Sequence, residues 1–211
     1  MFLPVATLLC LGTLSTSDQL CPCETGPVSV ETELLIQDIV DLDEHRNEVS
    51  LQGFLGTKWS GNLVKPNQEI DHTCGSGGVK LYGKNFFKHR WHPQLSFVNE
   101  RSFEVGEAPV SQVLVVEYEN GTVWATVRFR AKFPCHGDAD NFECEMMIES
   151  YCFNSDQVKL FNNAAESPII LSPKLPKGWT LASKFTAQLL MTYPLGQWYQ
   201  MLFQIVFRKS A

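Results

Sequence analysis

Glu149 and Tyr151 stand two residues apart in an alternating stretch, so an extended chain puts a carboxylate and an aromatic ring on one face. Phe54 shares a face with Ser50 and Gln52, opposite the apolar set Val49, Leu51 and Leu55. Aromatic faces carry negative quadrupoles, so Phe54, Tyr151, Trp198 and Tyr199 suit the surroundings of an ammonium group, and Glu149 suits pairing with it. Arg128, on the polar face of another alternating run, suits a carboxylate. This is the chemistry of recognising a small charged molecule. No nucleophile motif, phosphate loop or metalloprotease signature occurs, so no enzyme is expected. His89 with His92, and His136 with Asp138 and Asp140, have spacings a cation tolerates, but short clusters in secreted loops are mostly solvated. Neither a metal nor a cofactor is expected.

The elements that must position these residues are strands. Val28, Val30, Thr32, Leu34 and Ile36 alternate with more polar residues. Residues 113–118 run into Asn120-Gly121, a two-residue hairpin signal. The strand after it sets Val123, Ala125, Val127, Phe129, Ala131 and Phe133 on one face and Trp124, Thr126, Arg128, Arg130 and Lys132 on the other. Residues 185–207 contain no charge, yet they hold four glutamines, and Tyr199, Met201, Phe203, Ile205 and Phe207 share a face. Period two across Pro194-Leu195-Gly196 reads as a β-hairpin, since a spanning helix would leave those amides in hydrocarbon. Loops rich in Gly, Pro or Asn fall near 65–79 and 162–178. The fold class predicted is all-β, an antiparallel β-sandwich with room for a short N-terminal helix.

A chain of 211 residues suits one large β domain, here residues 18–211. The net charge of −6 argues against a nucleic-acid partner. Residues 1–17 read as a secretory signal peptide: the apolar run 2–14 is too short to span a bilayer, and Ser15 and Ser17 stand at −3 and −1. Removing it removes Cys10 and leaves six cysteines: Cys21, Cys23, Cys74, Cys135, Cys144 and Cys152. An even number in an oxidising compartment reads as disulfides. Cys21 and Cys23 are too close to bridge each other comfortably, so each is expected to seek Cys74 or Cys152, in an order the spacing leaves open.

Two separated motifs, in order, give a more specific reading. The first is Trp91-His-Pro93-Gln-Leu-Ser-Phe97-Val-Asn99-Glu100, and the second runs from Cys144 to Glu149-Ser150-Tyr151. Together they resemble the extracellular ligand-binding domain of the Cys-loop receptors, the pentameric neurotransmitter-gated ion channels. The resemblance covers roughly residues 28–209. It implies a Cys135–Cys144 disulfide, worth roughly 2.5–3 kcal/mol in the chain-entropy model. It also implies a pocket between subunits, with Glu149, Ser150 and Tyr151 as one wall and Tyr193, Trp198 and Tyr199 around a capping hairpin. Phe54, Thr126 and Arg128 would face them from the neighbouring subunit, and Ser96 or Val98 takes the place where the family carries an aromatic. Trp59 and Leu63 match a Trp-x-Asp-x-x-Leu motif in which Gly61 replaces the Asp.

There are departures. The cysteines enclose only residues 136–143, mostly polar, where the family carries a longer loop with an apolar tip resting on its membrane domain. The capping hairpin lacks the adjacent cysteine pair of acetylcholine-binding α subunits. The expectation is therefore a secreted, soluble relative, comparable to the acetylcholine-binding proteins, taking a small amine or amino-acid-like molecule at the seams of a homopentamer or of a hetero-oligomer with related subunits. The alternatives are the ectodomain of a true channel, and a structural or adhesive secreted sandwich whose pocket has degenerated. Asn120-Gly121-Thr122 is the chain's glycosylation sequon. Expressed in mammalian cells, the product should reach the medium without residues 1–17 and lose mass with a deglycosidase. An unchanged mass would rule out use of Asn120.

Overall fold

The computed structural model describes residues 26–60, 72–73, 80–107, 109–138, 140–163, 168–170 and 175–210. The expected signal peptide, any N-terminal helix, and Cys21, Cys23, Cys74, Gly61 and Leu63 lie outside the described residues.

Alternation builds the first sheet. β1 (Val28–Asp43) buries Val30, Thr32, Leu34 and Ile36, and β2 (Glu48–Ser60) runs back along it with Val49, Leu51, Leu55 and Trp59 on the same inner face. Asp43 closes the connecting turn by accepting the backbone N–H groups of His45 and Arg46. The register slips between Ile36 and Asp38, beside Gly53. A Cβ on Gly53 would lie 2.3 Å from the Leu35 carbonyl oxygen, so only glycine admits this approach, one residue before Phe54. β8 (Thr122–Gly137) then pairs through its residues 122–134 with the whole of β2. On its other side lie β7 (Val113–Glu117) and β6 (Ser102–Val105). Short β4 (Lys80–Tyr82) and β3 (His72–Thr73) extend the edge past β7.

The second sheet contains β12 (Trp179–Tyr193), β13 (Gly196–Lys209), β9 (Asn141–Ser150) and β5 (Leu95–Phe97), all antiparallel. β10 (Val158–Phe161) and β11 (Ile169–Ile170) depart from the antiparallel expectation: both add to the free side of β1 in parallel, because the chain crosses from one sheet to the far edge of the other. Helix α1 (Phe86–His89) is a single turn. Among the described residues no helix is long and apolar enough to cross a membrane.

The inner faces meet over Phe97, whose ring lies 5.2 Å from Phe129 and 4.9 Å from Phe133, while Phe203 and Phe207 are fully buried. Two residues later, Asn99 donates to the Glu145 carbonyl and accepts the Met147 N–H, so the first motif is stitched to β9. Cys135 and Cys144 are directly opposed in register and form a disulfide. Within the loop they close, Asp138 accepts the N–H groups of Asp140 and Asn141, which holds its carboxyl below the usual range. Among the described residues no cluster of His, Cys, Asp and Glu is arranged to hold a metal ion. The hairpin at Asn120-Gly121 forms, but by another route than the two-residue turn. Only Gly121 takes a positive φ, of 77°, its N–H bonds the Tyr118 carbonyl, and Asn120 Oδ1 accepts the Thr122 N–H. That is a type I turn closed by a left-handed glycine.

One buried charge anchors the disulfide end. Glu48 has a side chain 9% exposed and lies 2.9 Å from Lys132 Nζ, 3.5 Å from an Arg101 nitrogen and 4.0 Å from one of Arg46. The hydrogen bond from Lys132, against the cost of burial, leaves its carboxyl below the usual range. A carboxyl depressed in the fold contributes stability that is present above its unfolded pKa and lost as pH falls through the folded value. Glu48→Gln should therefore cost about 1 kcal/mol at pH 7, discounted for its half-exposed partners, and flatten the loss of stability on acidification. Urea melts at pH 7 and pH 3.5 measure both effects, and a parallel acid profile in the variant would assign the sensitivity elsewhere.

Candidate ligand-binding site

β9 carries its odd residues outward, so Glu143, Glu145, Met147 and Glu149 line the outer face of the second sheet while Ile148 and Ser150 point into the core. Glu149 lies opposite Gln200 on β13 and opposite Ser96 on β5. Its Oε2 accepts from the Tyr193 hydroxyl at 3.0 Å and from Gln200 Nε2 at 3.4 Å. Tyr193 meets Trp198 edge-to-face, with ring centroids 5.7 Å apart. Glu149, Ser96, Tyr193, Trp198 and Gln200 thus form one half-buried cluster. Among the described residues no cation pairs with Glu149. Burial pushes its carboxyl above the usual range, and the two hydrogen bonds only partly offset this. Burial and the bond to Glu149 likewise raise Tyr193.

Not every predicted residue joins this cluster. Ser150 is 2% exposed. Its hydroxyl donates to the Pro93 carbonyl at 2.7 Å and accepts the Phe153 N–H, so it latches the chain below the surface. Tyr151, just past the end of β9, is 81% exposed, and its N–H bonds the carbonyl of Gln94, which holds a positive φ of 48°. Tyr199 points away from Trp198, because neighbours on a strand face opposite ways. It packs against the core, with Lys159 over its ring at 6.0 Å. Gln200, one of the four glutamines of residues 185–207, is 3% exposed and holds Glu149. Its place among four glutamines gave no sign of that.

The remaining residues gather on the outer face of the first sheet. Phe54 is directly opposite Arg128, whose guanidinium carbon stands 5.9 Å from the ring centroid. Arg128 donates to Gln112 Oε1 at 3.3 Å, and Thr126 lies two pairs further along, opposite Gly56 and Leu114. A groove of about 310 Å³ runs past Arg128 between Gln52, Gln112 and the carboxylates Glu104 and Glu107. Gln112 was not foreseen; it lies before β7, outside any alternating run. The two outer faces of a sandwich point in opposite directions. Within one copy of the chain, therefore, Glu149 and Arg128 cannot share a ligand.

Residues 15–208 match the neurotransmitter-gated ion-channel ligand binding domain. The chain belongs to this family. Relatives in Caenorhabditis elegans include the acetylcholine-gated chloride channel subunit acc-2, 27% identical over 89% of this chain and 42% of its own length. The serotonin-gated chloride channel mod-1 is 24% identical over 93% of this chain and 40% of its own length. The human glycine receptor subunit beta is 23% identical over 63% of this chain and 27% of its own. The chain thus spans well under half the length of these relatives.

Within this family fold, Glu149 makes a sharp prediction without any ligand. A carboxyl raised by folding contributes stability below its unfolded pKa and loses it as pH rises through the folded value, so ionised Glu149 opposes folding at neutral pH. Glu149→Gln should melt about 1–2 °C higher at pH 7, the shift of roughly half a kcal/mol in a domain this size. The gap should close near pH 4. A variant melting lower at pH 7 would mean that the two hydrogen bonds outweigh the burial.

Proposed function

We propose that the chain binds a small amine-bearing molecule at the seam between two copies, in a secreted pentamer, without catalysis. The observation carrying this is Glu149: a half-buried carboxylate, held by Tyr193 and Gln200 beside the ring of Trp198, with no cation on it among the described residues. An ammonium group supplies the missing charge, and Trp198 and Tyr193 offer it aromatic faces. The exposed ring of Tyr151 adds a third. Acetylcholine and serotonin, in the names of two relatives, both carry a cationic nitrogen. Phe54, Thr126 and Arg128 of the next copy form the opposite wall, where Arg128 favours ligands ending in a carboxylate. Ser96 in place of an aromatic widens the cage on Glu149's side.

The short polar loop 136–143, folded back on Asp138, supports a domain that works apart from a membrane partner. The second reading is the ectodomain of a channel, which the family membership supports equally. A product retained with membranes rather than released to the medium would favour it.

Calorimetry with acetylcholine, serotonin, glycine and γ-aminobutyrate, alongside light scattering, tests the proposal. At least one should bind a pentamer. Tyr151→Ala should weaken it by roughly 1–3 kcal/mol with the assembly intact, and Glu149→Gln should weaken charged amines while sparing neutral analogues. Unchanged affinity in both variants would remove the amine site.

A further inference from the structure

A cavity of about 210 Å³, partly open to solvent, lies between the inner faces of β2 and β8 and the segment that follows α1. Leu55 and Trp59 form one side, Ala125 and Val127 the floor, and Phe87 and Leu95 the opposite wall. None of its lining residues is acidic, lysine or arginine, so it does not suit the cationic ligand proposed for Glu149. An apolar cavity of about 150 Å³ accepts benzene, so this one has room for a single ring with a substituent.

Three polar side chains, Thr57, His92 and Gln94, line the wall, and the first two bear on what that substituent is. The Thr57 hydroxyl already donates to the Ala125 carbonyl at 3.4 Å. His92 packs on Phe87, ring centroids 4.9 Å apart, and its Nδ1 lies 3.1 Å from the Arg90 carbonyl oxygen. A carbonyl only accepts, so Nδ1 carries the proton and Nε2 is left as an acceptor. Burial pushes the His92 pKa down, which keeps the ring neutral at pH 7.

We propose that this cavity binds a compact monocyclic phenol, its ring against the apolar walls and its hydroxyl donating to His92 Nε2. The site lies within one subunit and is separate from the amine seam. It shares a wall with it, however: Pro93 and Gln94 line the cavity, and their carbonyls hold the Ser150 hydroxyl and the Tyr151 N–H. A ligand pressing on that wall therefore moves Tyr151, and occupancy changes affinity for the amine. This coupling rests on the amine-site reading; occupancy of the cavity does not.

The test uses phenol and toluene on the full chain, followed by ligand-observed NMR and calorimetry. Phenol should bind saturably, roughly 5–10-fold tighter than toluene, the margin of one hydrogen bond. His92→Phe should erase that margin and leave toluene unchanged. Ala125→Leu should abolish both by filling the cavity, with Val127→Phe as the substitute should it fail to fold. No saturable phenol binding to the parent, or binding that survives a folded cavity-filling variant, overturns the site. Phenol binding lost on filling upholds it even where no amine binds. With both ligands bound, saturating phenol should shift amine affinity at least twofold, and an unchanged affinity defeats the coupling.

Discussion

β8 leaves β2 at Pro134 and at the next residue, Cys135, faces Cys144 in the other sheet. That handover is the constraint on which the two-layer arrangement depends. Upstream of it, β8 offers Thr126 and Arg128 to one outer face; downstream, through the disulfide, it sets the register of β9 and hence which way Glu149 points. Because the side-chain period of a strand is two, a slip of one residue at the cysteines would turn Glu149 inward and Ile148 outward. The covalent bond and the ladder therefore specify the same alignment, and Glu48 with its cationic partners holds the adjoining end of β2 against Pro134.

The same geometry explains why the candidate site is split. A sandwich uses its inner faces for its core, so recognition groups are left on two surfaces that look away from each other. Glu149 is uncomfortable there: it has donors but, among the described residues, no cation, and burial works against its charge. Natural sites commonly keep such local costs where a ligand is to relieve them. Arg128 is better provided for, with Gln112 and the Phe54 ring beside it, and it faces a groove of mixed charge.

The strands were legible because burial follows alternation: Val30, Leu34, Ile36, Met201, Phe203, Ile205 and Phe207 are all interior, as their period demands. The outward placement of Phe54 and of Arg128 followed from the same rule, and so does the opposition of the neighbours Trp198 and Tyr199. Less legible was anything set by tertiary partners. Ser150 reads as a motif residue, but its role is a buried bond to Pro93, 57 residues earlier in the chain. Gln200 is chemically identical to Gln197, which is exposed, and only pairing with β9 makes it the support of Glu149. The parallel docking of β10 and β11 was equally invisible, since four- and two-residue strands carry too little pattern to name a partner.

β12 pairs with β13 alone among the described residues, and its residues 180–185 are exposed on both faces. One hydrogen-bonded ladder, with little core behind it, attaches this strand to the domain. Its amides should then belong to a weaker cooperative unit than those of β2 or β8, opening well short of global unfolding. The Tyr193 hydroxyl, at the tip of that compliant strand, touches Glu149 on the rigid one. That bond works as a catch: it ties a hairpin held by one ladder to a carboxylate whose charge burial opposes, so the Glu149 charge and the position of the hairpin tip are coupled through a single contact.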